Sequence, residues 1–263
     1  MMQNSNLDHI QYTQLDPMTW CATAQVSAPL SMHNLNISDK LSPLFISNRV
    51  NTHEIKLHNF KWHYQTSQTT LLSVVEMAYK QRQQQRAGVR LLLQSLLSKL
   101  NISDNLDDSS FPYRLNTSQY FVCFSHTGAN SKNTDTKPNN EKYLDDKVAV
   151  IISRYRAVGI DIEVNDVAWH IAQRFYHSNE IAILRTLPVI QRDNIVKLLW
   201  QIKESFIKIY QYKLAQGLGM DYSSLIANLS NSSQEDVPLI VVADSEAIYH
   251  IALIPSQQIV IVY

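Results

Sequence analysis

Val158-Gly159-Ile160-Asp161-Ile162-Glu163-Val164, followed some forty residues later by Trp200-Gln201-Ile202-Lys203-Glu204-Ser205-Phe206-Ile207-Lys208, decides how the chain is read. The first piece alternates. Val158, Ile160, Ile162 and Val164 fall on one side, Asp161 and Glu163 on the other. Strand side chains repeat every two residues, so a strand here puts both carboxylates on one face. The second piece has a helical period: Leu198, Leu199, Ile202, Phe206 and Ile209 recur at three- and four-residue steps and form an apolar stripe. Glu204 and Lys208 are four apart and so are neighbours on the helix surface. A strand packed on this helix brings three carboxylates and a lysine together. Such a set of oxygens suits a hard divalent cation, and Mg²⁺ keeps waters and takes substrate phosphates as further ligands. Taken singly, each piece reads more plainly as a solvated strand face or an ordinary amphipathic helix.

A third piece lies upstream, Phe121-Val122-Cys123-Phe124-Ser125-His126-Thr127-Gly128, with Ser125 and His126 at the end of a strand spanning about Tyr120 to Phe124. The order Phe-Ser-His-Thr-Gly, Gly-Ile-Asp-Ile-Glu, Trp-x-x-Lys-Glu-Ser-Phe-x-Lys resembles the 4′-phosphopantetheinyl transferases, in particular the larger, surfactin-synthetase-activating type. Ile171 to Tyr176, Glu180 and Gly217-Leu218 agree with the same pattern, and the resemblance runs from about Phe111 to Leu218.

The resemblance implies Mg²⁺-dependent transfer of 4′-phosphopantetheine from coenzyme A to a serine of an apo acyl or peptidyl carrier protein, releasing 3′,5′-ADP. It implies a metal site of Asp161, Glu163 and Glu204, with Ser125 and His126 at the diphosphate and Lys208 and Lys203 against the phosphates. The serine proton passes to Glu204, directly or through a metal-bound water, or else to Glu180, and the sequence does not choose. The implied fold is α+β, two similar lobes related by a pseudo-twofold with the coenzyme between them. The boundary falls near residue 156, giving lobes 1–156 and 157–263. Two lobes on one chain imply a monomer. A Mg²⁺-dependent phosphohydrolase using water as nucleophile, and a non-catalytic module binding coenzyme A or a carrier, are the competing functions.

Residues 70–100 read as the best helix of the first half, with Leu71, Leu72, Val75, Ala78 and Tyr79 continued by Leu91 to Leu93, Leu96, Leu97 and Leu100. Arg82, Arg86 and Arg90 recur at four-residue steps, and no acid occurs between Glu76 and Asp104. Unpartnered guanidiniums on one face repel each other unless an anion joins them. A solvated basic face is the plain alternative. The resemblance implies that this helix holds the 3′-phosphate of coenzyme A, through Arg86 and Arg90 rather than Arg82. One departure stands out. Ser110-Phe111-Pro112 replaces the Gly-Lys-Pro of many relatives, so that lysine is missing and Arg114 is the candidate to replace it.

The remaining residues set bounds. The chain has 263 residues, 45% hydrophobic and 17% charged, with formal net charge zero. That composition is globular and exerts no global pull toward nucleic acid or membrane. No run of about eighteen apolar residues occurs. Met1 to Asp16 is polar and has no basic region followed by an apolar one, which argues against a secretory signal. Cys21 and Cys123 show no Cys-x-x-Cys spacing, and a reducing cytoplasm fits. The five glycines form no phosphate loop, so phosphate must meet side chains or helix ends. His53, His58 and His63 share no helix or strand face, which makes them solvated or packed histidines rather than ligands. Trp20 to Val26 alternates as a strand, Leu44 to Ile46 is a possible short element, and Asn101 to Ser110 is a polar loop. Ala129 to Asp146 is a long surface loop and Val148 to Ser153 a buried strand. Helices are expected over Val167 to Phe175, Glu180 to Leu187 and Arg192 to Tyr212, and strands over Leu239 to Ala243, Tyr249 to Ile254 and Gln257 to Tyr263.

Overall fold

The computed structural model describes residues 6–27, 48–57, 60–69, 74–127, 146–231, 239–243 and 248–263. The expected element at Leu44 to Ile46, His58 and nearly all of the expected loop from Ala129 lie outside the described residues. The fold is mixed α+β. Residues 1–29, 85–137 and 142–263 make one compact unit, and residues 30–84 with 138–141 make another.

The smaller unit contains β3 (Asn48–Leu57) and β4 (Phe60–Thr69), an antiparallel pair in register from Asn48↔Thr69 to Leu57↔Phe60. It also contains the first turns of α1 (Val74–Lys99). The strand pair has weak alternation in sequence, which is why the reading above misses it.

In the larger unit, β1 (Asn6–Asp16), β2 (Thr19–Ser27), β5 (Leu106–Asp107), β6 (Arg114–Leu115), β7 (Phe121–Thr127) and β8 (Asp146–Ser153) form a six-stranded sheet in the order β1-β2-β8-β7-β6-β5. A four-stranded sheet in the order β10-β11-β12-β9 is made of β9 (Gly159–Ile162), β10 (Leu239–Ala243), β11 (Ile248–Ile254) and β12 (Ile259–Val262). The helices are α2 (Trp169–Phe175), α3 (Ser178–Leu184), α4 (Val189–Tyr210), α5 (Leu214–Leu218) and α6 (Ile226–Asn231). Every strand pairing among the described residues is antiparallel, as the short polar connections in the sequence suggest.

Strand β8 shows why Val148 to Ile152 reads as one apolar run. Val148, Val150 and Ile152 pack on Val89, Leu92 and Leu96 of α1. Ala149 and Ile151 face the other way, onto Ile160, Ile162 and Ile261 of the second sheet. A strand buried on both faces loses its hydrophobic alternation. Leu91, counted above in the apolar stripe of α1, is instead exposed. The far face of the second sheet, including Ile251, Leu253 and Val260, packs on Ile195, Leu199, Ile202 and Phe206 of α4. The stripe read from the sequence is therefore the buried face of α4.

Helix α4 lies directly against β9. A Cβ placed on Gly159 would stand 2.1 Å from the carbonyl oxygen of Ser205. Gly159→Ala is expected to destabilise the protein by about 3 kcal/mol, the upper part of the usual overpacking range. The lowered midpoint of urea unfolding reads this effect. An unchanged midpoint would mean that α4 can back away from β9 without cost.

Candidate active site

Three chain segments meet at one open pocket of about 280 Å³. It is lined by Phe124, Ser125 and His126 from β7, Asp161, Ile162 and Glu163 from the end of β9, and Trp200, Glu204 and Lys208 from α4. The periodicities explain the meeting. Ser125 and Thr127 are two apart on one strand, as are Asp161 and Glu163, so each pair shares a face. Trp200, Glu204 and Lys208 follow one another at four-residue steps along one side of α4. The two strands then match rung for rung. Ser125 Oγ donates to Asp161 Oδ1 at 3.0 Å, and Thr127 Oγ1 donates to Glu163 Oε1 at 3.1 Å.

Strand β9 is the edge of its sheet, so its outward backbone groups have no strand partner. The pocket residues supply one. Ile162 N–H donates to Ser125 Oγ at 3.1 Å, and the Ile160 carbonyl accepts from Lys208 Nζ at 2.7 Å. Lys208 Nζ also donates to Asp161 Oδ1 at 3.0 Å and to Ser125 Oγ at 3.3 Å. An ammonium has three protons, and all three have acceptors here. Burial alone would lower the Lys208 pKa, but Asp161 first, then Cys123 and Glu204, outweigh it and hold it above its ordinary value. Lys208 is therefore a fixed positive charge that orients Asp161.

Glu204 carries the opposite perturbation. Burial first, then the charges of Asp161 and Glu163, push its carboxyl up; Lys208 and a hydrogen bond with the Trp200 side chain oppose this. Its carboxylate is therefore more basic than an ordinary glutamate. His126 is pushed below its ordinary value, by desolvation first and then by Lys208 and Arg86, with Asp161 opposing. The lowered pKa favours the neutral imidazole, which has one N–H to donate.

The structure thus brings together Ser125, His126, Asp161, Glu163, Glu204 and Lys208. Arg86 stands close enough for its charge to act on His126. Arg90 is already engaged: its guanidinium bonds Asp108 Oδ2 at 2.6 Å and the Arg86 carbonyl at 3.3 Å. This corrects the expectation of an unpartnered arginine row, because an acid distant in sequence returns to the helix. Arg114 stacks on the Phe121 ring, 4.1 Å from its centroid, and is not among the pocket residues.

Glu180 and Lys203 stand apart from the pocket. Both side chains are 0% exposed and pair with each other at 2.9 Å. Lys203 Nζ donates its other protons to the carbonyls of Leu218 and Met220, and it sits over the rings of Tyr176 and Tyr222. Glu180 accepts from the backbone N–H groups of His177 and Tyr222. The bond from His177, the N-cap residue, closes a capping box at the start of α3, two residues before the expected start at Glu180. The pair knits α3 and the segment after α5 to α4. The physical reason is helix geometry: Lys203 and Glu204 are adjacent, so they point about 100° apart, one into the core and one into the pocket.

Three residues at or behind the pocket have no role assigned from the sequence: Thr127, Trp200 and Gln201. Thr127 follows the same two-residue step that relates Asp161 to Glu163, and Trp200 lies four before Glu204, so both were legible from spacing. Gln201, which touches only backbone carbonyls, left no signal. Its Nε2 donates to the carbonyls of Asp161 and Gln258.

The oxygens suit a hard cation, and their anchoring follows a pattern found behind metal ligands. The hydrogen bonds to Asp161 fall on Oδ1 and those to Glu163 on Oε1, which orients each second oxygen. Among the described residues, no three His, Cys, Asp or Glu side chains are placed closely enough to hold a metal ion as they stand. No helix among the described residues is long and apolar enough to cross a membrane.

Residues 157–248 match the family model of the 4′-phosphopantetheinyl transferase superfamily. That segment carries Asp161, Glu163, Glu204 and Lys208. No curated protein and no solved structure matches the chain at a significant level.

Proposed function

We propose that this protein transfers 4′-phosphopantetheine from coenzyme A to a serine of an apo acyl or peptidyl carrier protein, with Mg²⁺, as a two-lobed enzyme of the surfactin-synthetase-activating type. The observation that carries the reading is the meeting, in one pocket, of the β7 Ser-His end with the acidic β9 and the Glu204–Lys208 face of α4. The family match over residues 157–248 supports it. In this reading residues 1–156 and 157–263 act as two lobes, on a monomer in the cytoplasm. Ser125 and His126 come from the first lobe and the carboxylates from the second.

Asp161, Glu163 and Glu204 would hold the Mg²⁺. The oxygen donor set fits that ion in kind. When bound, the ion supplies positive charge against the diphosphate. The chain's own residues do the rest. Lys208 offsets phosphate charge from a fixed position, and His126 donates its N–H to a diphosphate oxygen. Arg86, beside His126, takes the 3′-phosphate. The carrier serine Oγ forms a bond to phosphorus as the bond to the 3′,5′-ADP oxygen breaks. The serine proton passes to the Glu204 carboxylate, which lines the pocket beside Lys208. Glu180 is no base here, because it is buried in the pair with Lys203.

Intact-mass spectrometry of an apo carrier protein incubated with this protein, coenzyme A and Mg²⁺ tests the reading. A gain of one phosphopantetheine mass that is lost on chelation is expected. Phosphate release from coenzyme A with no carrier modified would favour the phosphohydrolase. Coenzyme A binding with no turnover across several carriers would favour the module.

A further inference from the structure

Helix α4 contacts the β9–β12 pair through a row of side chains that meet backbone oxygens. Ser205 Oγ donates to the Val260 carbonyl at 3.5 Å, and Lys208 reaches the Ile160 carbonyl. Gln201, at the start of this row, is 2% exposed and has the most demanding contact. Its Nε2 donates to the Gln258 carbonyl at 2.9 Å and to the Asp161 carbonyl at 3.4 Å. Both partners are acceptors, so only the amide nitrogen can face them. The same Gln258 carbonyl accepts from the Glu163 N–H at 3.2 Å, the last rung before β9 leaves the sheet.

Gln258 is itself fixed. It has φ 60°, in the left-handed region, and its Oε1 accepts from Lys147 Nζ at 2.7 Å. The neighbouring Gln257 Oε1 accepts from Thr23 Oγ1 at 3.0 Å. Lys147 is the β8 residue in register with Thr127, whose hydroxyl holds Glu163. One turn therefore connects the six-stranded sheet, α4 and the backbone on both sides of Ile162. Gln201 is the group that bridges the carbonyl of one acidic residue to the carbonyl that anchors the other.

We propose that Gln201 is a positioning residue: by bridging the Asp161 and Gln258 carbonyls it sets where β9 ends, and thereby the spacing of the Asp161 and Glu163 carboxylates toward a divalent cation. It touches no substrate and acts through backbone alone. The inference rests on the reading that these carboxylates bind Mg²⁺.

The test is calorimetric titration of the protein with Mg²⁺, beside initial rates at varied Mg²⁺ with coenzyme A and apo carrier. Gln201→Met keeps the shape and removes both donors. It is expected to weaken Mg²⁺ binding by about tenfold or more, the usual cost of losing a group behind a metal ligand. At saturating Mg²⁺, kcat and the KM for coenzyme A are expected to stay within about threefold of wild type by the same logic. Ser205→Ala, which removes a neighbouring contact of the same helix with β12, is expected to leave Mg²⁺ affinity unchanged. A purely structural role for Gln201 would instead lower the melting temperature and leave the Mg²⁺ titration alone, and that result overturns the inference. If Gln201→Met does not fold, Gln201→Asn, whose amide stops one methylene short, carries the same criterion. A wild-type protein that binds no Mg²⁺ overturns the metal reading and this inference together. Wild-type binding with an unchanged variant overturns the inference alone.

Discussion

Asp161→Asn is expected to lower phosphopantetheine transfer by about a thousandfold with the fold retained. The substitution is nearly isosteric. Asn keeps an oxygen to accept from Ser125 and Lys208, which now bond Asp161 Oδ1. What disappears is a full negative charge at the pocket wall, and an amide N–H₂ replaces the second oxygen. Asp161 is one of the proposed Mg²⁺ ligands, and weakening such an electrostatic stabiliser of a transferring phosphoryl group costs about 4 kcal/mol, each 1.4 kcal/mol being about tenfold in rate. Titration gives an independent check. Asp161 is one of the charges that push Glu204 up. In the metal-free protein, removing it lowers the Glu204 pKa, so Glu204 stays ionised to a lower pH. Initial rates with a urea melt to confirm folding read the first effect, and carboxyl titration of the metal-free wild type and variant reads the second. A rate within tenfold of wild type would remove Asp161 from the reaction.

The second large effect is on stability. Lys203→Met leaves Glu180 as a buried carboxylate with no counter-charge and strips a donor from the Leu218 and Met220 carbonyls. Removing one partner of such a pair costs about 3–5 kcal/mol, because the remaining charge is uncompensated. The double variant Lys203→Met/Glu180→Gln is expected to recover at least about half of that, since the buried charge goes, while the one amide oxygen keeps one of the two bonds that His177 N–H makes to Oε2 and Tyr222 N–H to Oε1. Urea unfolding of wild type, single and double variants measures it. The folded double variant is expected to keep its KM for coenzyme A. A rise of about tenfold, worth 1.4 kcal/mol of binding, would return Lys203 to the coenzyme site.

These two lysines show how far a sequence can be read. Lys203 and Lys208 stand in one motif and both look like phosphate cations. They are five residues apart on a helix, so they cannot share its face. The apolar stripe of α4 fixes which face is buried, but it does not say that a lysine within that face will be met by Glu180 from α3. Arg90 makes the same point. Its row looked unopposed because the nearest acids in sequence are distant, and Asp108 reaches it only because the chain turns back after α1.

The sequence by itself determined the local periods: the two-residue step that pairs Asp161 with Glu163 and Ser125 with Thr127, and the four-residue step that aligns Trp200, Glu204 and Lys208. Those are properties of strand and helix geometry, and they specify which side chains travel together. Tertiary structure decided which of the aligned groups meet. The edge position of β9 calls Ser125 and Lys208 to its open backbone, and the close approach at Gly159 lays α4 on the strand. Gln201 then finds two carbonyls from different strands. Backbone oxygens carry no sequence signature, so a residue whose partners are all backbone can be recognised only once the chain has folded.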